Sequence, residues 1–566
     1  MRRVALPLLV LAAAVALAWN LNGYRLLDPD EGRNAEVARE MAETNDYLVP
    51  HLDGLPYLDK PVLYFAAAAA LMELLGPTET AARLPAYGFA LATLALVGWY
   101  AGRRWGRDAG WLAALACATL PLTLAYAHTA IFDGALAFFT TAAILCFRDD
   151  RPVLAWAAMA LGALTKGPVA LAVPLCAIVP WALVTGVAVR RLAPARALVA
   201  FALLALPWFV AVSLRHPEFP HYAFVRETLD RFTTASFRRT APVWYYFPIV
   251  PLAAFPWIVP ALAGLPSWRW GWLARRVNEH AREAWFLTCW VLGPLALLSL
   301  NQSKLPQYVL PLMPAIALAS ARVLARDGIA AAGRLAAGLL ALLGAVLVLA
   351  PRLLTQALPL AHSVAAAIPP AAVAVGIALL VAAALVALAV RSGTPALGLT
   401  GYALPVIALP FVTAPLLRAV GDDRSAAAIA QAVAERGARV AVLAVEAYPP
   451  SLPFYLRHTI PVSTTGAEEL TSNYIAEYHS RLRALPSSPL LPAHFWLEVL
   501  ARCAAPTVFV THDGLPGPRT WLQAALPLLA DNGHYSAYGP CRPHPPSPSP
   551  RRGEGERRRS GEGVKG

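Results

Sequence analysis

Residues Leu27–Lys60 read LDPDEGRNAEVAREMAETNDYLVPHLDGLPYLDK and form the most charged block in the first part of the chain. This block lies between two apolar segments, so the fold must place its charges beside water or opposite charges. Asp28 is predicted to cap a helix that begins at Pro29, with Glu31 three residues after the cap. The adjacent acids Asp30 and Glu31 are catalytic candidates, although acids in a first helical turn can also serve only to complement the helix dipole.

The composition excludes an ordinary soluble domain. Of 566 residues, 58% are hydrophobic and only 14% are charged, which indicates a polytopic membrane protein. The net charge of +13 does not indicate nucleic-acid binding, because many arginines stand in short clusters between apolar segments, as in cytoplasmic loops of membrane proteins. We therefore expect membrane lipids as partners and no nucleic acid.

The apolar segments predict an all-α polytopic membrane bundle of about 13 spans. The first, within Met1–Asn20, resembles a signal peptide without a convincing cleavage site, so we interpret it as an uncleaved helix. The other predicted spans lie near 80–101, 109–127, 133–147, 152–165, 168–188, 197–214, 243–264, 284–300, 305–325, 332–350, 366–390 and 396–415.

The chain divides into three parts by composition. Residues 1–416 form the predicted membrane domain, with a charged loop over 22–79. Residues 417–541 contain one amphipathic helix pattern and two buried-strand patterns, which predict a small α/β domain outside the membrane. Residues 542–566 are rich in Pro, Ser, Gly and Arg and predict a disordered tail, because such a composition cannot form a core.

The apolar segment Val62–Leu75 decides the orientation of the chain. It is shorter than the ~20 residues that a span normally needs. If it crosses the membrane, the later arginine clusters face outward; if it lies at the interface or re-enters, they face inward with the N terminus. We adopt the second solution, which places the loop 22–79 and the C-terminal domain on the outer face. Cys503 and Cys541 are then free to form a disulfide in an oxidising compartment.

Lysine is rare in this chain, since only four of its 47 basic residues are lysines. Lys60, Lys166 and Lys304 all fall on the outer face near the membrane boundary in the adopted topology. An arginine-rich genome leaves few lysines by chance, but a charge at the boundary is costly and marks a functional site by default. We therefore expect the three ammonium groups to gather around an anionic headgroup.

Three ordered motifs in the charged loop resemble a known family. They are D-E-x-R-x-A-E at Asp30–Glu36, Y-L-V-P-H-L at Tyr47–Leu52 and D-K-P at Asp59–Pro61. This run resembles the first extracytoplasmic loop of the bacterial relatives of protein O-mannosyltransferases and, within them, the lipid A aminoarabinose transferases. The segments T-K-G at Lys166 and K-L-P-x-Y ending at Tyr308 are also similar to the family's. The resemblance implies a GT-C type membrane glycosyltransferase that uses a polyprenyl-phosphate-linked sugar.

The resemblance also implies roles for single residues. Positions matching Lys60, Lys166 and Tyr308 hold the polyprenyl phosphate in the aminoarabinose transferases. Asp133 begins an apolar span, where it is either a helix cap or, by the resemblance, a second active-site acid that faces Asp30 across the cavity.

The outer loop 215–242 resembles the family's E-x-x-x-R-F helix followed by P-x-W-Y-Y. Its arginines Arg226 and Arg231 are candidates for phosphate contacts. Arg33 in the charged loop and Lys304 complete the set of candidate phosphate-binding cations.

A divalent metal ion is possible at Asp59. In the aminoarabinose transferases, the acid at this position and a His have been associated with a bound metal, but this chain has Thr228 where the His commonly stands. Asp59 alone is a poor transition-metal site. We expect no other cofactor.

The expected function is transfer of a sugar, 4-amino-4-deoxy-L-arabinose or a related one, from the polyprenyl phosphate to lipid A or another glycolipid. The reaction is expected at the periplasmic face of a bacterial inner membrane. Asp30, with Asp133 or Glu31 nearby, would orient the acceptor or act as general base. One alternative is transfer to a protein hydroxyl. Another is a flippase or transporter, although a proton-coupled transporter would place its charges near the midplane and usually show paired halves.

Overall fold

The computed structural model describes residues 2–230, 240–266, 278–356, 360–437 and 440–541. Most of the described residues are helical and pack into an apolar bundle, and a six-stranded sheet follows near the C terminus. The charged loop contacts both parts, since its residues hydrogen-bond to spans of the bundle and to the sheet domain. The predicted fold class, a helical membrane bundle with a small C-terminal α/β domain, is confirmed.

Seven helices in the described ranges are long and apolar enough to cross a bilayer, or eight if one bent pair is a single span. The prediction of about 13 spans is not confirmed, because several predicted spans are helices shorter than a bilayer crossing requires. The long helices are Glu79–Trp105, Ala195–Arg215, Glu279–Leu300, Pro306–Asp327, Ala332–Leu349, His362–Ser392 and Pro395–Val412. The shorter apolar helices are Val4–Ala18, Leu63–Leu75, Pro152–Lys166, Val169–Thr185 and Val243–Ala254.

Short helices and turns connect these long helices. The α-helices with their full bounds, in chain order, are Arg2–Ala18, Asp30–Thr44, Leu63–Leu75, Glu79–Trp105, Arg107–Ala118, Pro121–Ala127, Asp133–Arg148, Pro152–Lys166, Val169–Thr185, Ala195–Arg215, Phe219–His221, Tyr246–Ala254, Ile258–Ala263, Glu279–Leu300, Met313–Asp327, Ala330–Leu349, Leu353–Gln356, His362–Ser392, Pro395–Val412 and Ala414–Arg424. A π-helix spans Tyr222–Asp230, and 3₁₀ turns span Val189–Arg191, Val243–Tyr245 and Pro306–Leu312.

Prolines break two of the predicted spans. The predicted span 109–127 consists of two helices that meet at 63°, and Pro121 is the first residue of the second. The predicted span 243–264 is divided in the same way next to Pro256. Proline has no backbone N–H and clashes with the preceding turn, so a helix restarts at it more easily than it continues through it.

Glycines allow two neighbouring helices, Glu79–Trp105 and Arg107–Ala118, to approach closely. A Cβ atom added to Gly110 would lie 2.7 Å from the carbonyl oxygen of Gly98, closer than real Cβ contacts. Any larger side chain would therefore push the two helices apart. Small residues at such contacts are a general feature of helix packing in membranes.

The charged loop folds around the helix Asp30–Thr44, which is buried along most of its length. Asp28 does not cap this helix as predicted, because its carboxylate is taken by the C-terminal domain. It accepts hydrogen bonds from the backbone N–H and the hydroxyl of Ser451, at 2.9 and 2.6 Å. Burial raises the pKa of Asp28 to about 7, although both bonds to Ser451 lower it. The hairpin of β1 (His51–Leu52) and β2 (Leu55–Pro56) follows the helix.

A buried ion pair fixes the loop helix to the bundle. Both carboxylate oxygens of Glu31 accept hydrogen bonds from the guanidinium of Arg83, each at 2.8 Å, and both side chains are almost fully buried. Glu31 also accepts the backbone N–H of Ala130 at 2.8 Å. Glu31 thus joins three segments of the fold.

The C-terminal domain is built on the sheet β5-β4-β3-β6-β8-β7. The four strands β3 to β6 are parallel to one another, and β8 pairs antiparallel with both β6 and β7. The strands are β3 Ala441–Val445, β4 Val462–Ser463, β5 Leu490–Leu491, β6 Thr507–His512, β7 Leu528–Asp531 and β8 Tyr535–Tyr538. The helices are Ala427–Ala434, Ser451–Leu456, Asn473–Glu477, His479–Arg483, Phe495–Arg502 and Pro516–Ala525, with a 3₁₀ turn at Glu468–Leu470.

Cys503 and Cys541 form a disulfide with their Cα atoms 6.0 Å apart. The disulfide ties the end of the helix Phe495–Arg502 to the residues that follow β8. The predicted boundary between 416 and 417 falls inside the helix Ala414–Arg424, which runs from the bundle into this domain. The predicted tail 542–566 lies outside the described residues.

Replacing Glu31 by Gln is expected to lower the thermal unfolding midpoint of the purified protein markedly. The substitution leaves Arg83 buried without its counter-charge, and breaking a buried ion pair costs about 3 kcal/mol or more. Glu43→Gln is the matched control: Glu43 also pairs with an arginine, Arg39, but its side chain is 54% exposed. Equal midpoints for the two variants would contradict the structural role of Glu31.

Candidate active site

A cavity of about 950 Å³ lies between the bundle, the charged loop and the C-terminal domain. Its lining combines charged groups with apolar side chains of the spans, as expected for a ligand with both a polar and an apolar part. The predicted site residues that line it are Asp30, Arg33, Asp59, Lys60, Asp133, Lys166, Arg226 and Tyr308.

Lys166 and Asp133 form an ion pair in the cavity wall. Asp133 is the first residue of one helix and Lys166 is the last residue of the next, so the two side chains meet at the same end of the bundle. The Lys166 Nζ lies 2.5 Å from Oδ1 of Asp133, and both side chains are largely buried. The same Nζ lies 4.6 Å from the centre of the Tyr308 ring. This ammonium therefore has one carboxylate partner and an aromatic face beside it.

Lys60 lies in a second ion pair. Its Nζ is 2.5 Å from Oε1 of Glu227 in the π-helix and donates a further hydrogen bond to the carbonyl oxygen of Asp59. Its side chain is 14% exposed, so the ammonium is shielded from most of the solvent but still lines the cavity. Lys60 and Lys166 thus reach one cavity from distant parts of the chain.

Asp30 is held by Arg33 of the same helix. The guanidinium Nη2 of Arg33 lies 2.6 Å from Oδ1 of Asp30, whose side chain is 43% exposed. The other terminal nitrogen, Nη1, donates to the carbonyl oxygen and the hydroxyl of Thr471 in the C-terminal domain, at 2.9 and 3.0 Å. Burial by itself would lower the pKa of Arg33, but Tyr57, Asp30 and Asp59 together raise it above its usual value. Arg33 remains a cation.

Asp59 is fully engaged by hydrogen-bond donors. Its Oδ1 accepts the hydroxyl of Tyr222 and, at 2.9 Å, the backbone N–H of Tyr474, and its Oδ2 accepts the backbone N–H of Asn473 at 3.1 Å. Burial, followed by the charges of Asp59 and Glu227, raises the pKa of Tyr222 well above its usual value, so this phenol remains a donor.

The residues around Asp59 do not fit a divalent ion. The hydroxyl of Thr228, which the resemblance aligns with the His of a metal site, donates to the carbonyl oxygen of Ala223 at 2.7 Å. The described ranges contain no group of three or more His, Cys, Asp or Glu side chains that could hold a metal ion. Because donors rather than metal ligands surround Asp59, we assign it to the hydrogen-bond network of the wall.

The structure places the remaining candidates in different surroundings. Arg226 lines the cavity and pairs with Asp230 at 3.3 Å and with Glu477 at 3.2 Å. Lys304 does not line it: its buried ammonium donates to the carbonyl oxygens of Ala241 and Asn301. Neither does Glu31, which faces Arg83. Arg231 lies outside the described residues.

Two parts of the lining were missed in the sequence. Glu227, the partner of Lys60, is the first residue of the E-x-x-x-R-F pattern, so a signal was present there. The C-terminal domain contributes a second group of polar side chains, for which the only signal is a short polar run between its predicted helices and strands. These are Glu468, Thr471, Ser472, Asn473 and Glu477.

The described lining contains four cations and seven carboxylates. Each cation has at least one carboxylate partner, so the cavity can receive an anionic group at a lysine without holding an unpaired buried charge beforehand. The cations are Arg33, Lys60, Lys166 and Arg226, and the carboxylates are Asp30, Asp59, Asp133, Glu227, Asp230, Glu468 and Glu477. The arrangement can stabilise a phosphate and can place a carboxylate beside a nucleophile.

Comparison with known proteins finds a family model that matches the first part of the chain. Residues 8–223 match the family described as dolichyl-phosphate-mannose-protein mannosyltransferase. This range includes the charged loop and both acids Asp30 and Asp133, as well as Lys60 and Lys166.

Two curated relatives are undecaprenyl phosphate-alpha-4-amino-4-deoxy-L-arabinose arabinosyl transferases. The protein from Yersinia enterocolitica is 34% identical over 328 residues, which are 55% of this chain and 57% of the relative. The protein from Aeromonas salmonicida is 34% identical over 342 residues, which are 57% of this chain and 60% of the relative. The region that matches this chain is therefore less than two thirds of the length of these relatives.

A solved structure matches over almost the whole chain. It is the crystal structure of ArnT from Cupriavidus metallidurans bound to undecaprenyl phosphate, with a TM-score of 0.79 and 25% identity. The match covers 95% of this chain and 98% of that one, so it includes the bundle and the C-terminal domain. This multi-pass membrane fold agrees with the long apolar helices described above.

Proposed function

We propose that this chain, whose residues 8–223 match the dolichyl-phosphate-mannose-protein mannosyltransferase family, belongs to that family and is a membrane glycosyltransferase. It moves a sugar from a polyprenyl phosphate to an acceptor held in the cavity. The observation that carries the proposal is that Lys60, Lys166 and Tyr308 line the same cavity as the acids Asp30 and Asp133. Cations for a phosphate and carboxylates for an acceptor are the two groups that this reaction needs.

The phosphate of the donor binds at Lys60 and Lys166, with the ring and hydroxyl of Tyr308 beside it. An acceptor oxygen attacks the anomeric carbon while the bond from that carbon to the phosphate oxygen breaks. The polyprenyl phosphate leaves with the extra negative charge, which the two ammonium groups stabilise. A single displacement of this kind inverts the configuration at the anomeric carbon.

The carboxylates act on the acceptor side. A hydroxyl acceptor loses its proton to a carboxylate as it attacks, and Asp30 is the best placed of the candidates, because its side chain is the more exposed of the two catalytic acids in the cavity. A phosphate acceptor is already ionised, so Asp30 then positions the sugar and the acceptor without taking a proton. Asp133 holds Lys166 in place and exchanges this contact with the incoming phosphate.

We assign an amino sugar, 4-amino-4-deoxy-L-arabinose, as the transferred group and lipid A as the acceptor. The names of the curated relatives support undecaprenyl phosphate as the carrier and this pentose as the sugar. The excess of carboxylates in the lining also supports a positively charged sugar over a neutral hexose, since unlike charges attract in a cavity shielded from water.

Purified protein is expected to move labelled 4-amino-4-deoxy-L-arabinose from undecaprenyl phosphate to lipid A. Asp30→Asn should reduce this transfer by roughly a hundredfold or more, because general base and positioning effects of one group are of that size. Asp108→Asn, which changes an exposed acid outside the cavity, is the matched control and should retain full transfer. Wild-type turnover by Asp30→Asn would refute the role of Asp30. If the label appeared on a protein instead of on lipid A, the acceptor would be a protein hydroxyl.

Lys166→Met is expected to weaken the binding of undecaprenyl phosphate roughly tenfold or more, because a hydrogen bond to a charged group contributes about 1.5–3 kcal/mol. Lys304→Met is the matched control: it removes another buried lysine that lies outside the lining. Its affinity for undecaprenyl phosphate should stay within about twofold of wild type. Equal affinities for all three proteins, measured by calorimetry or native mass spectrometry, would exclude Lys166 from the phosphate site.

We also infer that the protein lies in a bacterial inner membrane with its N terminus in the cytosol and the cavity on the periplasmic side. The disulfide Cys503–Cys541 supports an oxidising compartment for the C-terminal domain. Arginines of the connections away from the cavity support a cytosolic location of the opposite end, where Arg104 and Arg148 share a network with Glu279.

A phosphatase reporter that is active only outside the cytosol tests this orientation. It is expected to be active when fused after residue 541 and inactive when inserted at Val189–Arg191. A cytosol-active reporter at the same two positions is the control and should give the reverse pattern. If the phosphatase were active only at Val189–Arg191, the orientation of the protein would be the reverse of the one proposed.

A further inference from the structure

One short segment of the C-terminal domain, the wall segment Thr471–Tyr474, contacts both functional halves of the cavity. Three of its residues line the cavity, and Thr471 and Asn473 are themselves exposed toward it. Ser472 caps the short helix that follows by accepting the backbone N–H of Ile475. The segment therefore belongs to an ordered part of the domain while its polar groups face the site.

The first contact runs to the acidic half. Thr471 offers both its carbonyl oxygen and its hydroxyl to Nη1 of Arg33, and Nη2 of Arg33 holds Asp30. The two nitrogens of one planar guanidinium are thereby tied to two different parts of the chain, so the position of Asp30 depends on that of Thr471.

The backbone of Thr471 is in the left-handed region, with φ of 55°. This conformation is an outlier for a β-branched residue, which lacks glycine's freedom at positive φ. Such a conformation is strained and persists only where surrounding contacts hold it. Because Thr471 is exposed, core packing does not explain the choice of residue, whereas the contact of its hydroxyl with Arg33 does.

The second contact runs to the phosphate half. The backbone N–H groups of Asn473 and Tyr474 donate to the carboxylate of Asp59, the residue directly before Lys60. The side-chain amide of Asn473 lies 3.3 Å from Oε2 of Glu227, whose other oxygen pairs with Lys60. Both the backbone carbonyl and the carboxylate that hold the Lys60 ammonium are thus connected to the wall segment.

We propose that Thr471 and Asn473 are positioning residues of the transferase, through which the C-terminal domain sets the places of Asp30 and Lys60 within one cavity. The inference rests on the proposed function, because it assigns the two residues to the acceptor side and the phosphate side of that reaction. Thr471 acts on Asp30 through Arg33, and the Asn473 backbone acts on Lys60 through Asp59. The C-terminal domain then both lines the cavity and holds residues of the site in position.

Thr471 is tested by two substitutions of similar size. Thr471→Val removes the hydroxyl acceptor and keeps the β-branched shape, while Thr471→Ser keeps the hydroxyl. We expect Thr471→Val to lower kcat for sugar transfer roughly fivefold, with the KM for the donor changed less than about twofold, because one hydrogen bond to a charged group is lost on the acid side only. Thr471→Ser should restore kcat, and Thr520→Val, an exposed threonine of the same domain outside the cavity, should leave it unchanged.

Asn473 is tested through its backbone. Asn473 is the first residue of its helix, and Ser472 before it is extended at φ −114° and ψ 121°, so proline fits here without breaking the helix. Asn473→Pro deletes the N–H that Asp59 accepts, whereas Asn473→Ala deletes only the side chain. We expect Asn473→Pro to weaken undecaprenyl phosphate binding roughly fivefold relative to Asn473→Ala, with a smaller change in kcat.

The two parts of the argument fail separately. If wild-type protein transfers no sugar and binds no undecaprenyl phosphate, the proposed function is wrong. If the wild type is active but Thr471→Val and Asn473→Pro match Thr520→Val, the positioning inference alone is wrong. It is also wrong if both variants lose kcat and affinity in equal proportion together with a lowered unfolding midpoint, since a purely structural role predicts that pattern.

Discussion

Charges at the mouth of an apolar bundle must be paired, and this constraint governs the site. Each of the four cations among the described lining residues has a carboxylate within ion-pair distance. Pairing makes it possible to keep ammonium groups largely shielded from water, where a single charge would be costly. It also determines how a phosphate enters, because the ligand must share or replace a carboxylate that is already present. An anionic ligand therefore meets cations that are already paired, in a lining where carboxylates outnumber them.

The same constraint separates residues that line the cavity from residues that hold the fold. Glu31 and Asp30 are adjacent in sequence, yet Glu31 is sealed against Arg83 while Asp30 keeps an exposed side chain in the cavity. Lys304 is buried and Lys166 is largely buried, but Lys304 binds backbone carbonyls and Lys166 binds an acid of the cavity wall. The two residues of each pair have the same kind of charged group. They differ in their partners and in whether they line the cavity.

Much of the fold follows from composition and periodicity, because long apolar runs and a charged loop allow few arrangements. The helix in the loop and the strands Ala441–Val445 and Thr507–His512 were predictable in this way. That Lys60 and Lys166 share one cavity followed from the topology set by the arginine clusters and from the resemblance, which wrongly placed Lys304 with them. Partners far apart in sequence were not. The carboxylate of Asp28 binds Ser451 instead of capping its own helix, and local propensity contains no information about such a competitor. Prolines explain where the predicted spans are broken. The apolar sequence does not indicate the angle at which the two resulting helices meet.

The contact between Arg33 and Thr471 joins residues 438 positions apart. The helix that carries Asp30 is therefore synthesised long before the segment around Thr471 that contacts it through Arg33. Until the C-terminal domain has been made and folded, the nascent chain holds its acids and lysines in a chamber that lacks one side. The order of synthesis therefore leaves the cavity incomplete until the C-terminal domain has emerged and folded.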